Sequence, residues 1–243
     1  MSDLNCQATA SAFGSDLAWW PETFAPASGG SRREAGEPVA ALRAAPVPWV
    51  GARAEFGHES PDKGKAGDGD EPGRLRRHRL GKAVEATRSE LLSVWPYVVT
   101  GDSGMKSLAK LRERGLQVRL LTNSLASTDM PVVHSAYKGY RIPLLEIGVD
   151  LYEVRPILGQ PVVRGDALKS PSAGQFSLHA KVFVFDRQRA FVGSMNLDQR
   201  SLHVNTEIGV IIDSPELARQ IATRFAAIAQ PANSYVLALD GTT

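Results

Sequence analysis

The residues best suited to chemistry lie in one β-prone stretch, residues 178–186, and in the polar run that follows it. In a strand, side chains two positions apart emerge on the same face, so His179 and Lys181 would stand about 6–7 Å apart. An imidazole supplies a nucleophilic lone pair near neutral pH, and a neighbouring ammonium balances the negative charge of phosphate oxygens. This pair is therefore suited to attack on a phosphodiester.

The alternative explanation of His179 and Lys181 is the exposed polar face of an ordinary strand. Against it, alternate residues of this stretch make one apolar face and two phenylalanines extend the other, so the polar pair ends an otherwise apolar strand. A second apolar run then leads into Gly193, Ser194 and Asn196. Glycine lets a backbone approach a ligand closely, and the serine and asparagine offer hydrogen bonds to phosphate oxygens.

A known signature resembles this arrangement. The chain contains the pattern His179-x-Lys181-x4-Asp186, followed by Gly193-Ser194-x-Asn196. This pattern resembles the HKD motif of the phospholipase D superfamily. The flanking sequence resembles the second half of bacterial phospholipase D-type cardiolipin synthases over roughly residues 80–240, in residues 94–98, 104, 120–124, 128–134, 151–153 and 205–207. The resemblance implies a phospholipase D-like fold and chemistry through a phosphohistidine intermediate.

The resemblance also implies a catalytic set of four residues, which are His179, Lys181, Asp186 and Glu207. His179 would be the nucleophile or the acid that protonates the leaving group, and Lys181 would bind phosphate oxygens. Asp186 would act structurally, by pairing or capping near the motif. Glu207 would hydrogen-bond an imidazole nitrogen and fix its tautomer, although an exposed strand carboxylate explains this residue nearly as well.

Substrate binding would fall to three further side chains. The resemblance assigns Asn196 and Ser194 to the phosphate oxygens. Asn123 ends a predicted parallel strand, where α/β sheets place ligands, but simple turn chemistry explains it equally well. His134 is a weaker candidate for the cleft, because a helix-surface or core histidine is the commoner case. No grouping of side chains has metal-ligand spacing, and the implied chemistry needs neither a metal nor a cofactor.

The chain carries a single HKD motif, whereas enzymes of this superfamily build one active site from two. The other histidines are His58, His78, His134 and His203, and none of them begins a second motif. The resemblance therefore implies either a homodimer, in which two copies of His179 meet about a two-fold axis, or a partner chain that supplies the second motif. Because the matching flanks belong to the two-motif synthases, we expect the chain to be, by origin, the incomplete half of a two-motif enzyme.

Composition narrows the classes of partner. The 243 residues are 43% hydrophobic and carry a formal net charge of +2, which supports a sizeable core and disfavours nucleic acid as a partner held by bulk charge. No stretch reaches the ~18–20 apolar residues of a spanning helix. We therefore expect a soluble chain, cytoplasmic or peripheral at the inner face of the cell membrane. The resemblance to cardiolipin synthases implies glycerophospholipid as substrate.

Three functions remain open at this point. The first is phosphatidyl transfer to an alcohol, as in cardiolipin synthesis, or to water. The second is a dimeric HKD nuclease that uses the same residues. The third is a catalytically silent single-motif fragment that serves as an interaction module.

The predicted organisation has a boundary near residue 73. Residues 1–73 hold nearly half of the prolines and glycines and are expected to be irregular or flexible, a remnant linker. Residues 74–243 are expected to form the phospholipase D-like domain, an α/β fold whose mixed, largely parallel sheet is flanked by helices. We predict strands at residues 92–95, 118–122, 149–154 and 205–212, helices at 75–91, 104–114, 131–147 and 215–229, and a loop at 159–177 bordering the cleft.

Overall fold

The computed structural model describes residues 50–59, 79–159 and 176–239. Most of residues 1–73, and residues 160–175 of the predicted cleft loop, lie outside this part. One sheet dominates the fold, and its eight strands are β1 (Arg53–His58), β2 (Glu90–Val94), β3 (Gln117–Asn123), β4 (Asp150–Val154), β5 (Val182–Phe185), β6 (Arg189–Gly193), β7 (Ile208–Asp213) and β8 (Ser234–Leu237). Their spatial order is β1-β7-β6-β5-β2-β3-β4-β8.

Helices cover both faces of this sheet. They are α1 (Gly81–Glu85), α2 (Gly101–Glu113), α3 (Pro131–Lys138), α4 (Arg141–Glu146), α5 (Gln199–His203) and α6 (Pro215–Ile228). Ser214 caps α6 as its sequence predicts, because the Ser214 hydroxyl accepts a hydrogen bond from the Leu217 amide at 3.2 Å. The predicted α/β class with a mixed, helix-flanked sheet is confirmed.

The expectation of a largely parallel sheet is wrong. Within the described sheet, only the β2–β3 and β3–β4 pairs are parallel, and the other neighbours are antiparallel. Parallel neighbours need a crossover, and helices α2, α3 and α4 supply crossovers only between these three strands. β5 and β6 are joined by a three-residue turn, which forces an antiparallel hairpin.

Three predicted boundaries also change. β1 arises within the region expected to be irregular, because its alternating Ala54 and Phe56 pair along β7 as an edge strand. The predicted helix at residues 75–91 ends at Glu85, and its last residues enter β2, where every side chain is buried. The predicted helix at 131–147 is broken into α3 and α4 at Gly139 and Tyr140.

Two hydrophobic clusters pack on opposite faces of the sheet and meet at β5. Phe183 and Phe185 join the cluster beneath α2, α3 and α4, while Val182 and Val184 join the cluster beneath α6. All four residues of β5 are therefore buried, as the apolar alternation of both faces predicted. Burial on both sides holds β5 rigidly in the middle of the sheet, with its first residue at the edge that carries the candidate site.

Strand directions bring the functional segments to one edge. β5 and β7 run opposite to β2, β3 and β6, so β5 and β7 begin at the edge where those three strands end. The segment before β5 holds His179 and Lys181, the segment after β6 holds Ser194 and Asn196, and Glu207 directly precedes β7. The strand order therefore brings His179 to the same edge as Ser194, Asn196 and Glu207, which are distant from it in sequence.

Candidate functional site

His179 stands at the open side of this edge. β5 begins at Val182, so His179 and Lys181 lie in the irregular segment just before the strand. The sequence had predicted that both residues lie within the strand. The His179 side chain is exposed, and its ring makes no hydrogen bond to another described residue. The ring meets the Tyr97 ring edge-on, with 6.4 Å between centroids. An exposed imidazole with free nitrogens is available to a substrate.

Tyr97 and Asp129 flank the histidine, and sequence reasoning gave neither residue a role. The Tyr97 hydroxyl donates to the Asp129 carboxylate, at 2.8 and 2.9 Å from its two oxygens. Burial, reinforced by this hydrogen bond and the Asp129 charge, raises the pKa of Tyr97 to about 12. Tyr97 therefore remains a phenol at neutral pH. Tyr97 lies three residues after the buried strand β2, at the edge where parallel strands end, and this position was the signal that could have identified it.

Lys181 lies beneath His179. Its side chain is 8% exposed, and Nζ donates a 2.9 Å hydrogen bond to the backbone carbonyl of His179. Burial lowers the pKa of Lys181, whereas the negative charges of Glu207, Asp129 and Asp198 oppose this shift. These carboxylates therefore help to keep a buried ammonium charged next to the candidate nucleophile.

Glu207 is buried, at 4% exposure, so the alternative of an exposed strand carboxylate is wrong. The Ser194 hydroxyl donates to Glu207 Oε2 at 2.5 Å and accepts from the Ile208 amide at 3.0 Å. Within the described residues, Glu207 thus pairs with Ser194 and interacts electrostatically with Lys181. The predicted hydrogen bond from Glu207 to an imidazole is not among the contacts of this part of the chain and stays a prediction.

Asn196 completes the near side of the site. The backbone N–H of Asn196 donates to the Ser201 hydroxyl at 3.2 Å, which fixes the Asn196 backbone next to α5. Its side-chain Oδ1 is buried and finds no hydrogen-bond partner among the described residues. An unpaired buried Oδ1 is an acceptor and would take a hydrogen bond from a donor such as a hydroxyl, whereas a phosphate oxygen could be bound only by the amide NH2. The predicted contact of Asn196 with phosphate stays a prediction.

Asn123 lies at the same edge, but its side chain faces the protein. The amide is 1% exposed, donates to the Leu178 carbonyl at 2.9 Å and accepts from the Leu178 N–H at 2.8 Å. The Ser127 hydroxyl also donates to it, at 3.2 Å. These contacts are those of a clamp on the residue before His179, whereas the predicted contact of Asn123 with substrate remains untested.

Asp186 is separated from the other members of the predicted catalytic set. It follows β5 and therefore lies at the opposite edge of the sheet from Lys181. Its carboxylate accepts hydrogen bonds from the amides of Arg88, Ser89 and Glu90, at 2.8–3.0 Å, and from the Ser89 hydroxyl at 2.7 Å. Burial raises its pKa, but these donors outweigh burial and hold the pKa below its usual range. We assign Asp186 a structural role.

The remaining described histidines are placed elsewhere. His58 ends β1, where its Nδ1 lies 3.3 Å from the Glu59 carbonyl, and His203 is exposed at the end of α5. His134 is buried, at 7% exposure, next to Arg141, which makes it a core histidine, the commoner case. In residues 50–59, 79–159 and 176–239, no three His, Cys, Asp or Glu side chains are grouped to hold a metal, and no helix has the length and apolarity to cross a membrane.

The sequence of this chain is similar to those of known proteins. The family model "Cardiolipin synthase, PLD-like domain" matches residues 80–229, more than half of the chain. Cardiolipin synthase C of Escherichia coli K12 is 34% identical over 184 residues, which are 74% of this chain and 37% of that protein. The chain therefore spans little more than a third of this relative.

Two solved structures share the fold. Nuc of Salmonella typhimurium, a phospholipase D family member, superposes with a TM-score of 0.51 at 19% identity and is covered over 99% of its chain and 76% of this one. Phosphatidylserine synthase of Haemophilus influenzae gives a TM-score of 0.53 at 15% identity, over 86% of this chain and 48% of that one. The family resemblance is thus confirmed, and the chain belongs to the cardiolipin synthase family of phospholipase D-like domains.

Proposed function

We propose that this chain supplies the nucleophilic half of a phospholipase D-type active site, which transfers the phosphatidyl group of a glycerophospholipid to an alcohol or to water. One observation carries the proposal. An exposed imidazole, His179, lies next to a buried ammonium, Lys181, at the sheet edge that also carries Asn196. A nucleophile flanked by donors to phosphate oxygens is what attack on a phosphodiester needs.

The first step forms a covalent intermediate. A nitrogen of His179 forms a bond to phosphorus while the bond from phosphorus to the leaving alkoxide oxygen breaks. Lys181 and Asn196 would hold the non-bridging oxygens, whose charge grows in the transition state. The leaving oxygen takes up a proton from an acid, which releases the alcohol and leaves phosphohistidine.

The second step reverses the first. An acceptor alcohol, or water, gives its proton to the base that the first acid has become, and its oxygen attacks phosphorus. The phosphorus–nitrogen bond breaks, which frees His179 and the new phosphodiester or phosphatidic acid. An alcohol acceptor makes the reaction a transfer, and water makes it a hydrolysis.

The acid in this scheme comes from a second HKD motif. Of the other described histidines, His134 is occupied by Arg141 inside the protein, and neither His58 nor His203 begins such a motif. We propose that a second copy of this chain, or a partner chain with its own HKD motif, places its histidine opposite His179. A closed two-fold pair would give each site one attacking and one donating imidazole.

Incubation of the full chain with vesicles of labelled phosphatidylglycerol tests the proposal, and labelled DNA runs in parallel. We expect cardiolipin or phosphatidic acid to form, with glycerol released, and no DNA fragments. Light scattering on the same sample reports whether two copies associate. His203→Ala is the control for His179→Ala, because His203 is an exposed histidine at the end of α5 that the scheme does not use.

The outcomes separate the three functions. Lipid turnover supports phosphatidyl transfer or hydrolysis. Cleavage of DNA without lipid turnover would mean that the chain is a nuclease. A chain that self-associates and turns over neither substrate would be an interaction module, and the proposal would be wrong.

A further inference from the structure

A buried polar network lies next to the candidate site, on α3, α4 and β4. Glu153 is 5% exposed, and Arg141 holds both of its carboxylate oxygens, with Nε at 2.6 Å and Nη2 at 2.8 Å. Burial raises the pKa of Glu153, and the Arg141 charge opposes that shift. A buried ion pair of this kind adds little net stability compared with apolar residues of similar volume. The role of this pair is therefore to be sought in the groups that it holds in position.

His134 extends the network towards the site. Its Nε2 lies 3.0 Å from Nη2 of Arg141. A guanidinium can only donate, so Nε2 must be the acceptor, and the neutral ring carries its proton on Nδ1. His134 and Asn123 line the same small cavity at the ends of β2 and β3, and a backbone interaction with Asn123 raises the pKa of His134 against the lowering effect of burial. Arg141 thereby selects the tautomer in which Nδ1–H remains as a donor.

Asn123 passes the connection to the catalytic segment. Its side-chain amide bonds both backbone groups of Leu178, the residue before His179. β5 pairs with β2 only from Val182 onward, so the described sheet ladder does not reach Leu178. The Asn123 amide takes the place that a strand neighbour would have there. Without it, the backbone that carries His179 would lose both of these bonds.

We propose that His134 and Asn123 are positioning residues for His179. In this assignment the Glu153–Arg141 pair orients His134, His134 holds Asn123, and Asn123 fixes the main chain at Leu178. The network thereby sets where the His179 ring stands relative to a phosphate on Lys181. The catalytic consequence rests on the proposed function, whereas the placement of the ring can be measured without turnover.

The wild-type chain allows a first test by nitrogen NMR. The chain has five histidines, so selective labelling of their rings and single substitutions assign each signal. We expect His134 to show the neutral Nδ1–H pattern throughout the pH range from about 5 to 8. A protonated ring, or the Nε2–H tautomer, at pH 7 would overturn the proposal.

Substitutions test the link from Asn123 to His179. Asn123→Ala removes both bonds to Leu178, and Asn123→Asp removes only the donated one, so a folded variant is available if the first fails to fold. We expect both to shift the His179 ring signals and their titration. Ser135→Ala, on the exposed face of the same helix as His134, is the control and should leave them in place. Unchanged His179 signals in folded Asn123 variants would contradict the proposal.

Kinetics supply the readout that a merely structural role would not move. On a phosphodiester that the wild-type chain turns over, a displaced nucleophile should lower kcat by about a hundredfold while KM changes by less than about twofold. His134→Leu should show this loss, and His134→Gln, whose amide can both accept and donate, should recover much of it. Equal kcat in His134→Leu and wild type would refute the positioning role. If the wild-type chain has no turnover, the proposed function fails, and the NMR result alone decides the positioning role.

Discussion

The two ends of β5 hold the two parts of the predicted HKD motif, and their polar side chains are placed in opposite ways. At the end that follows the strand, the Asp186 carboxylate accepts hydrogen bonds from four donors of residues 88–90, at and just before the start of β2. At the end that precedes the strand, the His179 ring bonds no other described side chain, and Asn196 keeps a buried polar atom unfilled. Lys181 lies there with a pKa lowered by burial.

This difference divides a single motif into two physical functions. A saturated carboxylate fixes the β5–β6 turn against β2 and has no capacity left for a ligand. Unsatisfied polar groups cost free energy in the folded protein, and they persist where a ligand satisfies them. The Asp186 end is therefore expected to determine stability, and the His179 end to determine chemistry. Four predictions test this division.

The largest effect is expected at the His179 end. His179→Ala removes the only group of the scheme that bonds to phosphorus, so turnover should fall by at least about 10⁴-fold, with the melting temperature unchanged. The acid-labile phosphoenzyme trapped from the wild-type chain should disappear as well. A variant that retains activity or phosphoenzyme would show that His179 is not the nucleophile.

At the other end, Asp186→Ala should cost about 2–3 kcal/mol of unfolding free energy, because it leaves the amides of Arg88, Ser89 and Glu90 without their acceptor. Asp186 also has φ 52°, a left-handed conformation that alanine adopts poorly and asparagine tolerates. Asp186→Asn should therefore lose less stability in urea unfolding. The kcat of the folded fraction should stay at the wild-type value, and a selective loss of kcat would break the comparison.

Glu207→Gln should lower kcat/KM by about 10–100-fold, because it removes a carboxylate that supports the buried ammonium. The Glu207 charge raises the pKa of Lys181 against the lowering effect of burial, so its loss lowers that pKa further. The alkaline limb of the kcat/KM profile should then move to lower pH. Glu216→Gln, an exposed carboxylate on α6, is the matched control and should change neither quantity.

The smallest effect is a difference in the pH windows of stability. Burial and the charges of Arg141 and Lys138 lower the pKa of His134 to about 4, below its usual 6.5. The unfolded chain therefore binds the proton first, and stability present above pH 6.5 should fall by about 2 kcal/mol by pH 5. The Asp186 pKa is lowered too, but for a carboxyl the loss begins only as pH falls below its usual value near 3.8.

Urea unfolding at several pH values measures this difference. His134→Gln should flatten the slope between pH 6.5 and 5, and Asp186→Asn should not. The raised pKa of Glu153 contributes with the opposite sign, since the folded state then binds its proton more tightly, so the slope must be compared between wild type and His134→Gln. Equal slopes in these two proteins would contradict the buried, neutral His134.

Some of these features follow from local sequence. The apolar alternation around Phe183 predicts a strand buried on both faces, and Ser214 before Pro215 predicts the start of α6. The position of Asn123 at the end of a strand predicts its place at the site edge. What its amide bonds to could not be predicted, because Leu178 is 55 residues away in sequence.

The sequence by itself determined which chemical groups are present and how they are spaced, and that spacing predicts an HKD motif, because spacing and side-chain type are local properties. The tertiary structure decided which of these groups meet. It put Asp186 at the far edge, joined Glu207 to Ser194, and bound the side chain of Asn123 to Leu178, the residue before His179. The physical reason is the strand order: β5 lies beside β2, and β2 beside β3, so the contacts that matter join residues far apart in the chain.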